Sequence, residues 1–213
     1  MAKRIIVTGA SGGLGSVVTR IFREAGWNVA GLERSSGADL STAAGAKAAV
    51  GRAVAELGGL DAVAHLVGGF ALGTLAETSD ELWERMLTMN FRSALYTVRA
   101  ALPALRANGG GSVVVIGSPA GQDPRAGLCA YAVSKAALHA LVRSAADELA
   151  GTGITVNAIL PNTIDTPANR AAMPDADPAR WVKPERIASL MLWMASEEGR
   201  DMTGALVPLN GEA

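Results

Sequence analysis

The sequence predicts an α/β fold: a doubly wound parallel sheet with helices on both faces. Three observations carry this reading. Strand-like and helix-like segments alternate along the whole chain. Most strand-like runs are continuously apolar, as in Ile5–Val7 and Val113–Ile116, which marks strands buried on both faces. A glycine cluster, Gly9 to Gly15, separates the first such run from the first helix. The 213 residues suit one domain, and no internal repeat or low-complexity linker divides them.

The elements follow in order. Ile5–Thr8 reads as a short buried strand. Leu14–Ala25 has helical spacing in Leu14, Val17, Val18, Ile21 and Phe22, and Gly26 ends it. Asn28–Leu32 is the second strand, Thr42–Leu57 an alanine-rich helix closed by Gly58-Gly59, and Leu60–Val67 the third strand. Ser79–Ala107 reads as one long helix, capped by Ser79, with Asp80 and Glu81 in its positive first turn. Ser112–Ile116 is a β-branched strand, Ala130–Ala150 a helix stopped by Gly151, and Ile154–Leu160 a strand ending at Pro161. Pro184–Ser196 is a helix with proline in its first turn, and Ala205–Leu209 a last strand. Only Glu33–Ser41 lies between the second strand and the next helix, too little for a further helix and strand, so the sheet is predicted to be trimmed at that edge.

Composition narrows the function. Apolar residues make up 49% and charged residues 18%, a globular balance, and the net charge is −1. Nucleic-acid or membrane-surface binding needs a basic excess that is absent here. A single cysteine, Cys129, rules out an intrachain disulfide and points to a reducing cytoplasm. The apolar run after Met1-Ala2-Lys3-Arg4 is too short for a signal-peptide core, and no stretch is long enough to cross a bilayer.

The loop Thr8-Gly9-Ala10-Ser11-Gly12-Gly13-Leu14-Gly15 joins a strand to a helix. Glycines there let the backbone turn sharply and approach a ligand, while the helix N-terminus presents free N–H groups to a pyrophosphate. Gly9, Ser11, Gly13, Leu14 and Gly15 are therefore candidate cofactor contacts. Glu33 ends the second strand, where a carboxylate accepts hydrogen bonds from the adenosine ribose and repels a 2′-phosphate. This favours NAD(H), although the adjacent Arg34 suits NADP(H). Asp39 and Leu40 border the adenine or form a simple turn.

Tyr131-Ala132-Val133-Ser134-Lys135 opens a helix, and the four-residue offset puts Tyr131 and Lys135 on one face. A nearby ammonium lowers the pKa of a phenol and makes it usable in acid–base chemistry. Taken alone, such a pair is common on protein surfaces. Ser118 follows a buried strand end, the functional position in an open parallel sheet. Asn90 sits inside an otherwise apolar helix, where a buried amide needs a water or a backbone partner.

Together, Thr8-Gly9, Gly13, Gly15, Asn90, Ser118, Tyr131, Lys135, and Pro161 with Thr166 resemble the classical short-chain dehydrogenase/reductase family over essentially the whole chain. The resemblance implies a Rossmann-like domain and a nicotinamide-dependent oxidoreductase acting on a small-molecule carbonyl or alcohol. It also implies residue roles. Tyr131 exchanges a proton with the substrate oxygen and Ser118 hydrogen-bonds that oxygen. Lys135 binds the nicotinamide ribose and lowers the Tyr131 pKa, and Asn90 anchors a relay water. It extends the cofactor contacts to Val67, Gly68, Pro161, Thr163, Ile164 and Thr166. Two departures stand out. His65-Leu66-Val67-Gly68 replaces the family's Asn-Asn-Ala-Gly, and Pro161-Asn162 replaces Pro-Gly, where a left-handed Asn162 would preserve the turn. A narrower resemblance, in Gly68-Gly69-Phe70, Leu160 to Arg170, Met173 to Asp177 and Trp181, is to the quinonoid dihydropteridine reductase branch, which lacks the catalytic serine and makes pterin reduction the alternative. A dinucleotide-binding regulator without turnover is a third reading, opposed by the intact Asn90, Ser118, Tyr131 and Lys135.

Other residues read more plainly. No metal site is expected from His65 and His139. His65 reads as a satisfied structural histidine, Cys129 as packing, and Asp165, Asp175 and Asp177 as solvated loop carboxylates. Phe70 and Trp181 border the substrate, and Trp83 and Trp193 suit core or interface. By resemblance, Thr166 to Trp181, extending to about residue 183, is a substrate lid. The apolar faces of Ser79–Ala107 and Ala130–Ala150 suggest a homodimer or homotetramer.

Overall fold

In the computed structural model, which describes residues 2–211, six strands form one parallel sheet in the order β2-β1-β3-β4-β5-β6. The strands are β1 (Arg4–Thr8), β2 (Asn28–Leu32), β3 (Ala62–His65), β4 (Gly111–Ile116), β5 (Ile154–Pro161) and β6 (Leu206–Leu209). The helices are α1 (Gly13–Glu24), α2 (Ala43–Leu57), α3 (Asp80–Leu87), α4 (Ser93–Ala107), α5 (Cys129–Glu148), α6 (Pro167–Ala172) and α7 (Pro184–Met194). Strands β3, β4 and β5 carry almost uninterrupted burial, as their continuous apolar runs require.

Two apolar layers sandwich the sheet. On one face Phe22, Ile187 and Met191 of α1 and α7 pack on Ile5, Val7 and Ile159. On the other, Ala49, Val98, Leu105 and Leu138 of α2, α4 and α5 pack on Ile6, Val63 and Val113. The small side chains along α2 let it lie close to the sheet and to α4. Among the described residues no strand lies outside β2, so the sheet is trimmed at that edge as expected. Strand order reverses between β1 and β3, and the crevice at that switch point is where open parallel sheets bind ligands.

Three expectations change. The third strand is shorter than Leu60–Val67, because Leu66 leaves the ladder and donates its N–H to Thr8 Oγ1 at 3.0 Å. The long helix Ser79–Ala107 is interrupted by a π-helical turn over Thr88–Arg92, with Asn90 at its centre. Such a turn widens the helix by one residue and often marks a functional position. The segment after Thr166 is not a bare loop, since it contains α6 and a short turn at Pro178–Arg180. Ser79 caps its helix as expected, accepting from Leu82 N, and Thr42 caps α2 by accepting from Gly45 N. No helix among the described residues is long and apolar enough to cross a membrane.

Candidate active site

The glycine loop sits at the C-terminal end of β1. Gly9 is left-handed (φ 68°), and Gly12 N donates to Gly9 O at 3.0 Å, closing the turn. A Cβ on Gly15 would lie 2.0 Å from Gly9 O, so the helix can meet the strand this closely only without a side chain. The first turn of α1 carries no acidic residue and no side-chain cap. Its N-terminal amides and positive dipole end thus suit a pyrophosphate. Val67 packs on Gly9, and Thr166 packs on Gly13 while capping α6 through Asn169 N at 3.2 Å.

A second layer holds this loop. Thr8 and His65 lie opposite each other in the β1–β3 register. Thr8 Oγ1 accepts from Leu66 N at 3.0 Å and Val67 N at 3.4 Å, so its own hydrogen goes to His65 Nδ1, 3.2 Å away. His65 Nε2–H then donates to Ser93 Oγ at 3.1 Å, and Ser93 donates to Met89 O at 2.6 Å. His65 therefore replaces the first asparagine of the family motif with a bridge from the glycine loop to the π-turn. Burial, then the Lys135 charge, push its pKa down to about 3. A folded-state pKa below the ordinary value of 6.5 means the unfolded chain binds the proton first as pH falls. Stability is accordingly expected to drop as the pH falls from 6.5 toward 3, losing about 1.4 kcal/mol for every tenfold rise in proton concentration. The drop should be less steep in His65→Asn, as thermal melts against pH would record.

Asn90 is fully buried in the π-turn. Its Oδ1 accepts from Gly69 N at 2.9 Å, and its Nδ2 donates to Gly69 O at 3.0 Å and Ser134 Oγ at 2.9 Å. Ser134 in turn donates to Tyr131 O at 2.7 Å. The Asn90 side chain is thus committed to protein, bracing the loop before Phe70 against the start of α5.

Ser118, Tyr131 and Lys135 line one cavity of about 800 Å³ at the strand ends, with Leu14, Gly68 and Phe70. The Phe70 ring meets the Tyr131 ring edge-on at 5.0 Å between centroids. Pro161, Thr163 and Ile164 also line the cavity. Burial raises the Tyr131 pKa, and the Ser118 hydroxyl, as a hydrogen-bond partner, acts against it. The expected lowering by Lys135 is not realised here. Its Nζ is 6.0 Å from the Tyr131 ring centroid and donates to Ile116 O at 2.8 Å, and burial brings its own pKa down to about 8.

Several expectations are corrected. Of the two readings of Asp39 and Leu40 the turn is seen: Asp39 accepts from Ser41 N at 2.9 Å and Ser41 Oγ at 2.6 Å, leading into α2, and Leu40 is a buried core residue. Neither lines the cavity, and it does not reach Glu33 or Arg34 either. Glu33 follows β2, and its Oε2 accepts from Ser35 Oγ at 3.1 Å. Asn162 is not left-handed, since no described residue other than glycine has positive φ. Trp181 is buried and lies outside the cavity. Asp165 is not a solvated carboxylate. Arg170 chelates it at 2.6 and 2.9 Å and Lys183 joins at 2.9 Å, holding its pKa far below the usual range.

The sequence reading missed the cavity walls contributed by Pro119, Ala120, Arg125 and Leu128, while Asn169 and Met173 belong to the segment read as the lid. The position of the first four just beyond the end of β4 was the available signal, because loops at that end of a parallel sheet surround its ligands.

Sheet order and cavity together define a class: a dinucleotide-dependent oxidoreductase built on the doubly wound fold. The family model described as "Enoyl-(Acyl carrier protein) reductase" matches residues 33–211. A 4-formylbenzenesulfonate dehydrogenase from Comamonas testosteroni is 30% identical over 97% of this chain and 95% of its own. A 2,5-dichloro-2,5-cyclohexadiene-1,4-diol dehydrogenase from Sphingobium indicum is 29% identical over 98% and 95%. Among solved structures, a blue fluorescent protein from a metagenomic library, in complex with NADPH, superposes with TM-score 0.87 and 28% identity over 98% of this chain and 96% of that one. This chain belongs to the short-chain dehydrogenase/reductase family and is an NAD(P)-dependent oxidoreductase. The similarity is to the broad family, and none of these three relatives is a dihydropteridine reductase.

Proposed function

We propose that the protein interconverts a carbonyl and an alcohol, with Tyr131 as the proton-transfer group. The observation that carries this is the convergence of Tyr131, Ser118 and Lys135 on one cavity. The bound nicotinamide supplies or accepts the hydride. In the reducing direction the Tyr131 phenol, protonated at neutral pH and held so by burial, donates to the nascent alkoxide. Ser118 orients the substrate oxygen, and Lys135 holds a ribose and supplies positive charge close to the reacting oxygen. In this reading Asn90 serves catalysis from behind the cavity, by fixing Gly69 and the Tyr131 turn. Ser118 on the wall favours carbonyl chemistry over pterin reduction.

The glycine-loop contacts, together with Val67, Gly68, Pro161, Thr163, Ile164 and Thr166, hold the cofactor. Glu33 selects NAD(H), its carboxylate opposing a 2′-phosphate, and Arg34 offers the weaker alternative. Residues 166–183 form the lid, supported by Asn169 and Met173 on the cavity wall and by the Asp165–Arg170–Lys183 ion pairs at its base. Ring-bearing aldehydes and ketones head the substrate class, in keeping with the two dehydrogenases above. Pairing through α4 and α5 into a dimer or tetramer fits the 45% exposure of Val133.

A panel of aryl aldehydes, cyclic ketones, β-ketoacyl thioesters and quinonoid pterins, each with NADH and NADPH, tests the reading. Turnover of a carbonyl with NADH is expected, and turnover of pterins alone would overturn it. In Glu33→Ala, kcat/KM with NADPH should rise at least about tenfold relative to NADH, given the Coulomb repulsion removed. An unchanged ratio would remove Glu33 from cofactor selection.

A further inference from the structure

His139 is 4% exposed, one helical turn after Lys135 on α5. Its Nε2 accepts a hydrogen bond from the Ser118 backbone N–H at 3.4 Å. With Nε2 as acceptor the ring proton of the neutral imidazole is on Nδ1. That Nδ1 is buried and has no hydrogen-bond partner. A buried donor without a partner opposes folding; an apolar side chain would remove it but strip the Ser118 N–H of its acceptor, exchanging one orphan for another. Stability alone therefore does not favour a histidine here.

What the ring does is shape the turn that carries Ser118. A Cβ on Gly117 would lie 2.6 Å from His139 Nε2, and a Cβ on Gly121 would lie 2.6 Å from His139 Cε1. The turn Pro119–Gly121 thus wraps the imidazole, with glycines flanking it at both points of closest approach. Ser118 Oγ is engaged with the same turn, accepting from Ala120 N at 3.2 Å. His139 itself is not among the cavity-lining residues, whereas Ser118, Pro119 and Ala120 of this turn are.

We propose that His139 is a positioning residue. It fixes the main chain of Ser118, and hence the direction of its hydroxyl, by offering Nε2 as an acceptor and its ring edge as a template. The proposal rests on the reading of Ser118 as the group that orients the substrate oxygen. A small displacement of such a group is costly, because an error of about 1 Å lowers turnover by up to about 100-fold.

A double-mutant cycle tests it. His139→Leu should lower kcat for carbonyl reduction by about tenfold, with KM and the NADH dissociation constant changing by less than about twofold. On a Ser118→Ala background the same change should lower kcat less than about twofold, because the group it positions is gone. His139→Gln, whose amide oxygen reaches the Nε2 position, should restore most of the turnover. His139→Asn, which stops short of that position, should not. The Gln/Asn contrast holds the test even where the leucine variant folds poorly. An equal loss on both backgrounds, or parent-like turnover in His139→Leu or His139→Asn, would overturn the proposal. Parent-like turnover in Ser118→Ala alone would instead overturn the role of Ser118, and the proposal with it.

Discussion

Tyr131→Phe is expected to lower turnover by about 10²- to 10⁴-fold, the range that general acid–base groups contribute, while NADH still binds. The substitution keeps the ring, and with it the edge-on contact to Phe70, so packing at the cavity mouth survives. What disappears is the proton. Burial holds the phenol in its protonated form, the form needed to protonate an alkoxide at neutral pH. Reduction should therefore be flat with pH until Lys135 loses its charge near pH 8, and then decline. Alcohol oxidation, which needs the deprotonated phenol, should rise with pH. Fluorescence titration with NADH gives the binding arm and steady-state rates against pH give the other. Unchanged turnover in the phenylalanine variant would remove Tyr131 from the chemistry.

Gly15→Ala carries the second large effect, on cofactor affinity. Its new methyl would meet Gly9 O at 2.0 Å and Ala10 Cα at 2.8 Å, both main-chain atoms. No rotamer change relieves such contacts, so the loop itself must move. Overpacking of this kind costs about 1–3 kcal/mol, which corresponds to roughly 5- to 150-fold in affinity if the loop absorbs it. Gly51→Ala is the matched control. It lies within α2 with open space around its would-be methyl, so it should leave NADH affinity unchanged and add about 0.5–1 kcal/mol of stability. An unchanged NADH dissociation constant in Gly15→Ala would mean that the loop does not hold the pyrophosphate.

The parts of the site readable in advance are those where chemistry is written locally. The spacing of Tyr131 and Lys135 follows from helical geometry. The glycines of the first turn announce their steric role, and Ser118 follows a visibly buried strand. The parts that were not readable depend on distant partners. Asn90 was recognisable as a misfit, but its amide is claimed by Gly69 and Ser134, the latter 44 positions away. Asp39 reads equally as an adenine contact or a turn, and its bonds to the Ser41 amide and hydroxyl build the turn. The direction of the Tyr131 pKa was anticipated from its near neighbour, and burial reversed it.

The sequence alone determined the doubly wound sheet, its trimmed edge and the shared helix face of Tyr131 and Lys135, because hydrophobic period and helical offset are local properties. Only the tertiary structure decided how His65 bridges Thr8 to Ser93, how a π-turn forms around Asn90, and why His139 lies beneath Ser118. Those arrangements depend on which buried polar groups find each other once water is excluded, and that pairing is set by contacts between segments far apart in the chain.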